Sequence, residues 1–203
     1  MIQKEGYNMH IIFCVPGKEF SRHFLISWSN LIQELDSMNV TWELICEYSP
    51  IVHRVRQQIL EKALEKTYDY LMWLDSDMVF SISDFKKLLS HKDNCNIISG
   101  LYFAQSGGDL HNIPENFACL DINGSKMGRF DYGGEKLIQV RGNGMGFMLV
   151  KQGVFECIDK PFISNTNTRG EDIIFQLKAA TKGFNSYVDP SIIIGHEKSY
   201  ILK

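Results

Sequence analysis

Residues 69–77 read DYLMWLDSD, an apolar run that ends in two carboxylates one residue apart. A run without polar alternation predicts a strand covered on both faces, as in a parallel or mixed sheet flanked by helices. Ligands of such sheets bind just outside the carboxyl ends of the strands. Two acids at that edge favour a bound cation, and hard oxygen ligands suit Mg²⁺ or Mn²⁺. The alternative is a simple turn or helix cap, since Asp and Ser are ordinary turn residues.

Strands and helices alternate on the amino-terminal side of this run. Residues 9–15 (MHIIFCV) and 40–48 (VTWELICEY) are rich in β-forming residues and predict two strands. Residues 20–37 and 51–66 repeat apolar side chains at three- and four-residue steps, which predicts amphipathic helices. The order strand, helix, strand, helix, strand is typical of a doubly wound α/β half.

The carboxyl-terminal side is less regular. Cap-type residues at 81–84 predict a short helix, and residues 96–103 predict a strand. Residues 104–114 hold two adjacent glycines and no periodicity, which predicts a loop able to close over a substrate. Residues 117–140 alternate short β-rich segments with turn residues and predict a small β-meander.

The change of pattern near residue 105 predicts a border between two halves of one domain. Residues 1–8 are expected to be an N-terminal extension, and residues 9–203 a single domain. Within it, the border would separate residues 9–104 from residues 105–203.

Composition narrows the class of protein. With 203 residues, 44% of them hydrophobic, the chain can bury one substantial core. A net charge of −3 gives no electrostatic support for nucleic-acid binding. The five cysteines are scattered and odd in number, which predicts reduced thiols in a soluble, cytoplasmic protein. No stretch approaches the roughly 20 apolar residues that a membrane-spanning helix needs.

Two glycine-containing motifs and one histidine lie beside predicted strands and helices. Residues 142–146 (GNGMG) precede an apolar strand, and their glycines would allow a sugar to approach, although tight turns also use glycine. Residues 169–172 (RGED) precede a helical pattern, where an acidic first turn complements the helix dipole. His196 follows the apolar residues 192–194, a setting in which a histidine is often structural. Taken singly, each leaves a structural and a functional interpretation open.

Taken together and in order, these motifs resemble those of GT-A glycosyltransferases. Asp75-Ser76-Asp77 is similar to the Asp-x-Asp motif, Glu171-Asp172 to the x-Glu-Asp motif, and His196 to the C-terminal histidine. The resemblance covers residues 9–198 and is to small family-2-like glycosyltransferases of viral or bacterial type. It implies an α/β fold of the GT-A class, with a mixed β-sheet flanked by helices and a small acceptor-side β-meander. In this fold residues 9–104 would be the Rossmann-like nucleotide-binding half and residues 105–203 the acceptor and catalytic half.

The resemblance also implies a role for each landmark. Asp75, Asp77 and His196 would hold Mn²⁺ or Mg²⁺ on the diphosphate of the donor. Asp172, with Glu171 beside it, would deprotonate the acceptor hydroxyl, and the helix N-terminus would favour its charged form. The implied donor contacts are Pro16 and Tyr48 at the base and ribose, Arg56 at the diphosphate, Ser76 in the Asp-x-Asp motif, and Gly144 and Gly146 at the sugar.

Two of these assignments have alternatives in the sequence. His53 and Arg54 lie close to Arg56 in the same predicted helix and compete with it for the diphosphate. An arginine on a helix is also commonly just solvated. Tyr48 fits a position in the core as well as a contact with the base.

The predicted activity is therefore a metal-dependent transfer of a sugar from a nucleoside diphosphate sugar, a UDP- or GDP-sugar, to an acceptor hydroxyl, with inversion. The acceptor is left open between a glycan, a protein, a small molecule and a modified DNA base. A sugar nucleotidyltransferase is one alternative, although residues 15–20 (VPGKEF) lack the glycine-rich, basic loop that it needs. A catalytically silent module that binds a nucleotide sugar or a glycan is the other.

Overall fold

The computed structural model describes residues 8–104, 116–128, 137–163 and 169–198. The helices are α1 (Arg22–Leu35), α2 (Val52–Leu64), α3 (Ile82–Ser90) and α4 (Glu171–Thr181). The strands are β1 (Met9–Pro16), β2 (Val40–Glu47), β3 (Tyr70–Leu74), β4 (Met78–Val79), β5 (Ile97–Leu101), β6 (Asn116–Leu120), β7 (Lys126–Gly128), β8 (Ile138–Val140), β9 (Gly142–Asn143), β10 (Phe147–Lys151), β11 (Ser186–Ile193) and β12 (Gly195–His196).

Seven strands form the main sheet, in the order β2-β1-β3-β10-β5-β11-β8. β1 runs parallel to β2 and β3, whereas β10 runs antiparallel to its neighbours β3 and β5. β11 is parallel to β5 and antiparallel to β8. The predicted α/β fold with a mixed sheet is thus confirmed.

Helices cover both faces of this sheet. The period-two alternation of a strand sends successive side chains of β3 to opposite faces, and all five of its residues are buried. On one face Met72 and Leu74 pack in a cluster with α1 and α3, and on the other Leu71 and Trp73 pack in a cluster with α2 and α4. The unbroken apolar run of β3 follows from this double coverage.

Local capping sets where the helices begin and end. Ser21 accepts a hydrogen bond from the backbone N–H of Phe24 and starts α1. Ser81 and Asp84 form a capping box at the start of α3. α1 ends before residue 37, earlier than predicted, because residues 36–38 form a 3-10 turn and Asn39 adopts a left-handed conformation with φ 57°.

The predicted meander differs from the observed one. The small sheet has the order β7-β6-β9, while β8 joins the edge of the main sheet against β11. Val140 of β8 is buried there, and this burial explains why β8 pairs with β11 of the main sheet and not with a strand of the small sheet. Of the loop predicted at 104–114, only Ala104 lies within the described residues.

A two-residue pairing shapes the carboxyl edge of the sheet. β4 pairs antiparallel with β12, which places His196 opposite Met78. The backbone N–H of Glu197 donates to the carbonyl of Asp77 and extends the pairing. The last described segment is thereby held against the residues that follow β3. No helix in the described part of the chain is long and apolar enough to cross a membrane.

The glycines between β9 and β10 make room for Tyr102. The Tyr102 hydroxyl oxygen accepts a hydrogen bond from the N–H of Gly146 at 3.1 Å. A Cβ at residue 144 would overlap that oxygen, and a Cβ at residue 146 would lie 2.7 Å from the terminal methyl of Met78. Position 144 therefore requires glycine for packing, whereas at position 146 the flexible end of Met78 could move aside.

Gly144→Ala is expected to lower the free energy of unfolding by about 1–3 kcal/mol or more, because the buried Tyr102 ring has to move. Gly195→Ala is the graded control, since a Cβ there would lie 3.1 Å from the side chain of Val79. Urea denaturation of both variants measures the difference. Equal stability of Gly144→Ala and the parent would contradict the packing described here.

Candidate active site

A cavity of about 370 Å³ opens at the carboxyl edge of the sheet, where β1, β2 and β3 end. Residues predicted as functional that line it are Pro16, Tyr48, Arg56, Asp75, Ser76, Asp77 and His196. Lining residues that the sequence did not single out as functional are Gly17, Lys18, Ser49, Val52, Val55, Tyr102 and Lys198. Strand ends, the start of α2 and the segment after β12 thus meet at one site.

Backbone hydrogen bonds hold the loop after β1 against the end of β2 and against the residues that follow β3, beside the cavity. The N–H of Gly17 donates to the carbonyl of Glu47, and the N–H of Ser21 donates to the carbonyl of Ser76. A Cβ at residue 17 would lie 2.6 Å from the Ser76 hydroxyl oxygen. Gly17 therefore lets the loop after β1 approach the residues that follow β3.

Asp77, His196 and Lys198 form one polar cluster. Oδ2 of Asp77 lies 2.6 Å from Nζ of Lys198 and 3.3 Å from Nε2 of His196. Burial opposes ionisation of Asp77, but hydrogen bonds from His196 and Lys198 outweigh it and lower the pKa of this carboxyl. Asp77 is accordingly an anion that two neighbouring basic side chains compensate.

The orientation of His196 suits a ligand to a cation. Its Nδ1 lies 3.0 Å from the carbonyl oxygen of Phe103, so Nδ1 carries the proton that is donated there. Nε2 lies 3.3 Å from Oδ2 of Asp77, so it donates to this carboxylate when the ring is protonated, and in the neutral ring it offers a lone pair to a cation held between the two side chains. A backbone carbonyl behind the ring is the usual outer partner of a metal-binding histidine.

The predicted ligand set for the metal comes together only in part. Asp77 and His196 converge, whereas Oδ1 of Asp75 accepts a hydrogen bond from Arg56 at 2.9 Å. Within the described ranges, no group of three or more His, Cys, Asp or Glu side chains is arranged to hold a metal ion. One carboxylate and one imidazole could hold Mn²⁺ or Mg²⁺ only together with oxygen ligands from outside the chain, such as water or a bound phosphate.

Arg56 is the most buried charged group at the cavity, with 4% of its surface exposed. Its Nη2 donates to Asp75 at 2.9 Å and its Nε donates to Glu171 at 3.1 Å. The guanidinium carbon lies 5.6 Å from the centre of the Trp73 ring. Burial disfavours the charged guanidinium, but Asp75 and Glu171 outweigh that effect and raise the pKa of Arg56.

Of the three basic side chains that compete in the sequence, only Arg56 is directed inward. His53 and Arg54 are exposed. The contact between Arg56 and a diphosphate stays a prediction, and the guanidinium is already engaged by two carboxylates.

Glu171 and Asp172 begin α4, with Gly170 as the preceding cap residue. Neither lines the cavity within the described residues, but the Arg56 contact ties Glu171 to its wall. Burial and the neighbouring Glu171 raise the pKa of Asp172 to about 6, although the N–H of Ile173 donates to Oδ1 at 2.7 Å. The N–H at the helix start favours the charged form, but burial and the charge of Glu171 outweigh its effect on the pKa of Asp172.

The glycines predicted at the donor sugar lie against Tyr102. Tyr102 lines the cavity, while Gly144 and Gly146 are buried residues outside the lining. The ring of Tyr102 also meets His196 edge-on, with the ring centres 5.3 Å apart. Glycine spacing in the sequence predicted a close approach correctly, but the group that approaches is a tyrosine side chain.

The polar lining residues that motif analysis missed are Lys18, Ser49, Tyr102 and Lys198. Lys198 lies two residues after His196, so extending that motif by two residues would have found it. Tyr102 lies near the end of the strand predicted at 96–103, at the same sheet edge as Asp75, and that edge was the available signal.

Comparison with known proteins gives a likeness of fold. No family model and no curated protein matches the chain. A solved structure described as A197 from STIV is 18% identical, with a TM-score of 0.60, over 96% of this chain and 97% of that one. A structure of GalNAc-T7 with UDP, GalNAc and Mn²⁺ is 12% identical, with a TM-score of 0.49, over 95% of this chain and 44% of that one.

At these identities the likeness concerns the fold alone. A197 matches this chain over nearly the whole length of both. The GT-A class of α/β fold that the sequence predicted is confirmed. The chain therefore shares its fold with A197.

Proposed function

We propose that this protein is a glycosyltransferase that moves a sugar from a nucleoside diphosphate sugar to an acceptor hydroxyl, with inversion. The observation that carries the proposal is a single cavity with a compensated anion, Asp77, at one end. Arg56 joins the wall of the same cavity to a carboxylate pair that contains Asp172. A diphosphate needs cations and an acceptor hydroxyl needs a base, and the cavity region supplies both.

Asp77, His196 and Lys198 would receive the diphosphate. The ammonium of Lys198 lies at the cavity and can pair with phosphate oxygens. Asp77 and His196 would hold Mn²⁺ or Mg²⁺, which when bound supplies Lewis-acid stabilisation of the leaving diphosphate. The protein then keeps the negative charge of the donor opposite its own basic groups.

The base and ribose would lie at the other end, between the loop after β1 and the start of α2. Tyr48 is 54% exposed, so its ring face is available for stacking. Nζ of Lys18 lies 5.8 Å from the centre of that ring. Pro16 and Val52 add apolar surface to the same end.

Asp172 would act as the general base. A carboxyl group with a pKa of about 6 is ionised at neutral pH and is a stronger proton acceptor than an ordinary aspartate. In the proposed step the acceptor oxygen forms a bond to the anomeric carbon, and the bond from that carbon to the diphosphate breaks. The hydroxyl proton goes to Asp172, and a single displacement inverts the carbon.

Asp77→Ala is expected to abolish the Mn²⁺-dependent part of nucleoside diphosphate binding, because it removes the anion shared by His196 and Lys198. Calorimetric titration with UDP and with GDP, each with Mn²⁺ and with EDTA, measures it. Asp93→Ala is the matched control, since the Asp93 side chain is 75% exposed on the surface. Parental binding by Asp77→Ala with Mn²⁺ would show that the diphosphate site is elsewhere.

Asp172→Asn is expected to lower turnover by about 10²-fold or more and to leave the affinity for the donor nucleotide nearly unchanged, because only the proton acceptor is lost. Release of UDP or GDP from a panel of nucleotide sugars, with glycan, peptide and modified-DNA acceptors, measures turnover. Transfer at the parental rate would exclude Asp172 as the base.

The raised pKa of Asp172 also predicts a pH-dependent gain in stability for Asp172→Asn. The folded state binds the proton more tightly than the unfolded chain, so the free energy of unfolding falls as pH rises from about 4 to about 6. Asn carries no charge to desolvate. The variant should therefore exceed the parent by about 1–3 kcal/mol at pH 8, and the difference should shrink towards pH 4.

Urea denaturation at pH 4.5 and pH 8 measures this difference, and Asp159→Asn at an exposed position is the control. A variant that is no more stable than the parent at either pH would contradict the burial of an ionisable Asp172.

A further inference from the structure

Arg56 brings together three parts of the chain that are far apart in sequence. From the first turns of α2, its guanidinium donates to Asp75 after β3 and to Glu171 at the start of α4, which is 115 residues away. Its cation lies over the ring of Trp73. Nη1 is buried and has no hydrogen-bond partner among the described residues. One side chain thus fixes the position of α4 relative to β3.

The geometry of this contact indicates that Arg56 orients the two carboxylates more than it stabilises the fold. A buried ion pair gains little over well-packed apolar side chains, because both charges lose their hydration. The planar fork of an arginine, however, sets the direction of each carboxylate that it binds. Lysine would keep the charge of Arg56 but lose the two directions.

The fork also makes two adjacent acids unequal. Glu171 donates no proton and accepts from Nε of Arg56 at 3.1 Å, so its carboxylate is committed to the ion pair. The Asp172 side chain, among the described residues, accepts only from the N–H of Ile173. Asp172 therefore keeps lone pairs that no neighbouring cation occupies.

We propose that Arg56 is a positioning residue for the reaction: it holds Glu171 and Asp75 in place and so selects Asp172, not Glu171, as the base. This inference rests on the proposed function and changes the role expected for Arg56 from a diphosphate contact to a tether between β3 and α4. Glu171 becomes the anchor of the acidic pair. On this assignment the fork, although Arg56 lines the cavity, contacts neither the donor nor the acceptor.

The test compares nucleotide affinity with turnover in Arg56→Gln and Arg56→Lys. If Arg56 is a tether, Arg56→Gln lowers turnover by about 10-fold to 100-fold, while the dissociation constant for UDP or GDP with Mn²⁺ stays within about threefold of the parental value. Arg56→Lys recovers part of the turnover, because it restores the charge next to Asp75 and Glu171. Arg54→Gln, at an exposed position in the same helix, is the matched control and keeps the parental rate.

A diphosphate contact gives the opposite pattern. Arg56→Gln would then weaken the binding of UDP or GDP at least 10-fold and leave the binding of the unphosphorylated nucleoside unchanged. This result would overturn the inference. A parent protein that binds no nucleoside diphosphate and releases none would instead overturn the proposed function itself. The two failures are therefore distinguishable.

A second pair of variants tests the inference with Arg56 left intact. Glu171→Gln keeps an oxygen that can accept from Nε of Arg56, so turnover is expected to fall by about 10-fold or less. The turnover of Asp172→Asn is expected to fall by about 10²-fold or more. The reverse order, with Glu171→Gln the slower enzyme, would make Glu171 the base and overturn the assignment. This comparison decides the question even if Arg56→Gln does not fold.

Discussion

The burial of β3 on both faces is the constraint on which the rest of the molecule depends. Because large and mainly apolar side chains are buried at every position from Tyr70 to Leu74, no charged group can be accommodated until the strand ends. Charged residues of three other segments then collect at that end, from α2, from the start of α4 and from the segment after β12. The sheet itself therefore decides where chemistry can take place.

Sequence reasoning located this edge because its signals are local. The apolar run before Asp75 and the histidine after an apolar strand both require only a few consecutive residues. What it missed depends on contacts between distant residues. The two-residue pairing of β4 with β12 has no periodicity to detect, and the partners of Arg56 lie 19 and 115 residues away. The raised pKa of Asp172 arises from burial, which the helix-start pattern alone did not reveal.

The glycines of residues 142–146 show how a correct observation received a different explanation. Their spacing indicated that a bulky group approaches the backbone closely. The group is the ring of Tyr102, which reaches the same edge from the end of β5. A short sequence motif records that space is needed, but not which atoms fill it. The sequence holds several candidates for that space, and only the sheet order chooses among them.

The bond between Lys198 and Asp77 has a consequence for kinetics. Since the charges at the cavity are largely paired with one another and the chain carries a net charge of −3, an incoming anion meets no strong attractive field. An anion would then bind by exchange: Lys198 would break its contact with the Asp77 carboxylate and pair with the incoming anion. Association should be slow compared with electrostatically steered encounters and nearly independent of ionic strength, and the lifetime of the complex, not the rate of encounter, should distinguish one anion from another.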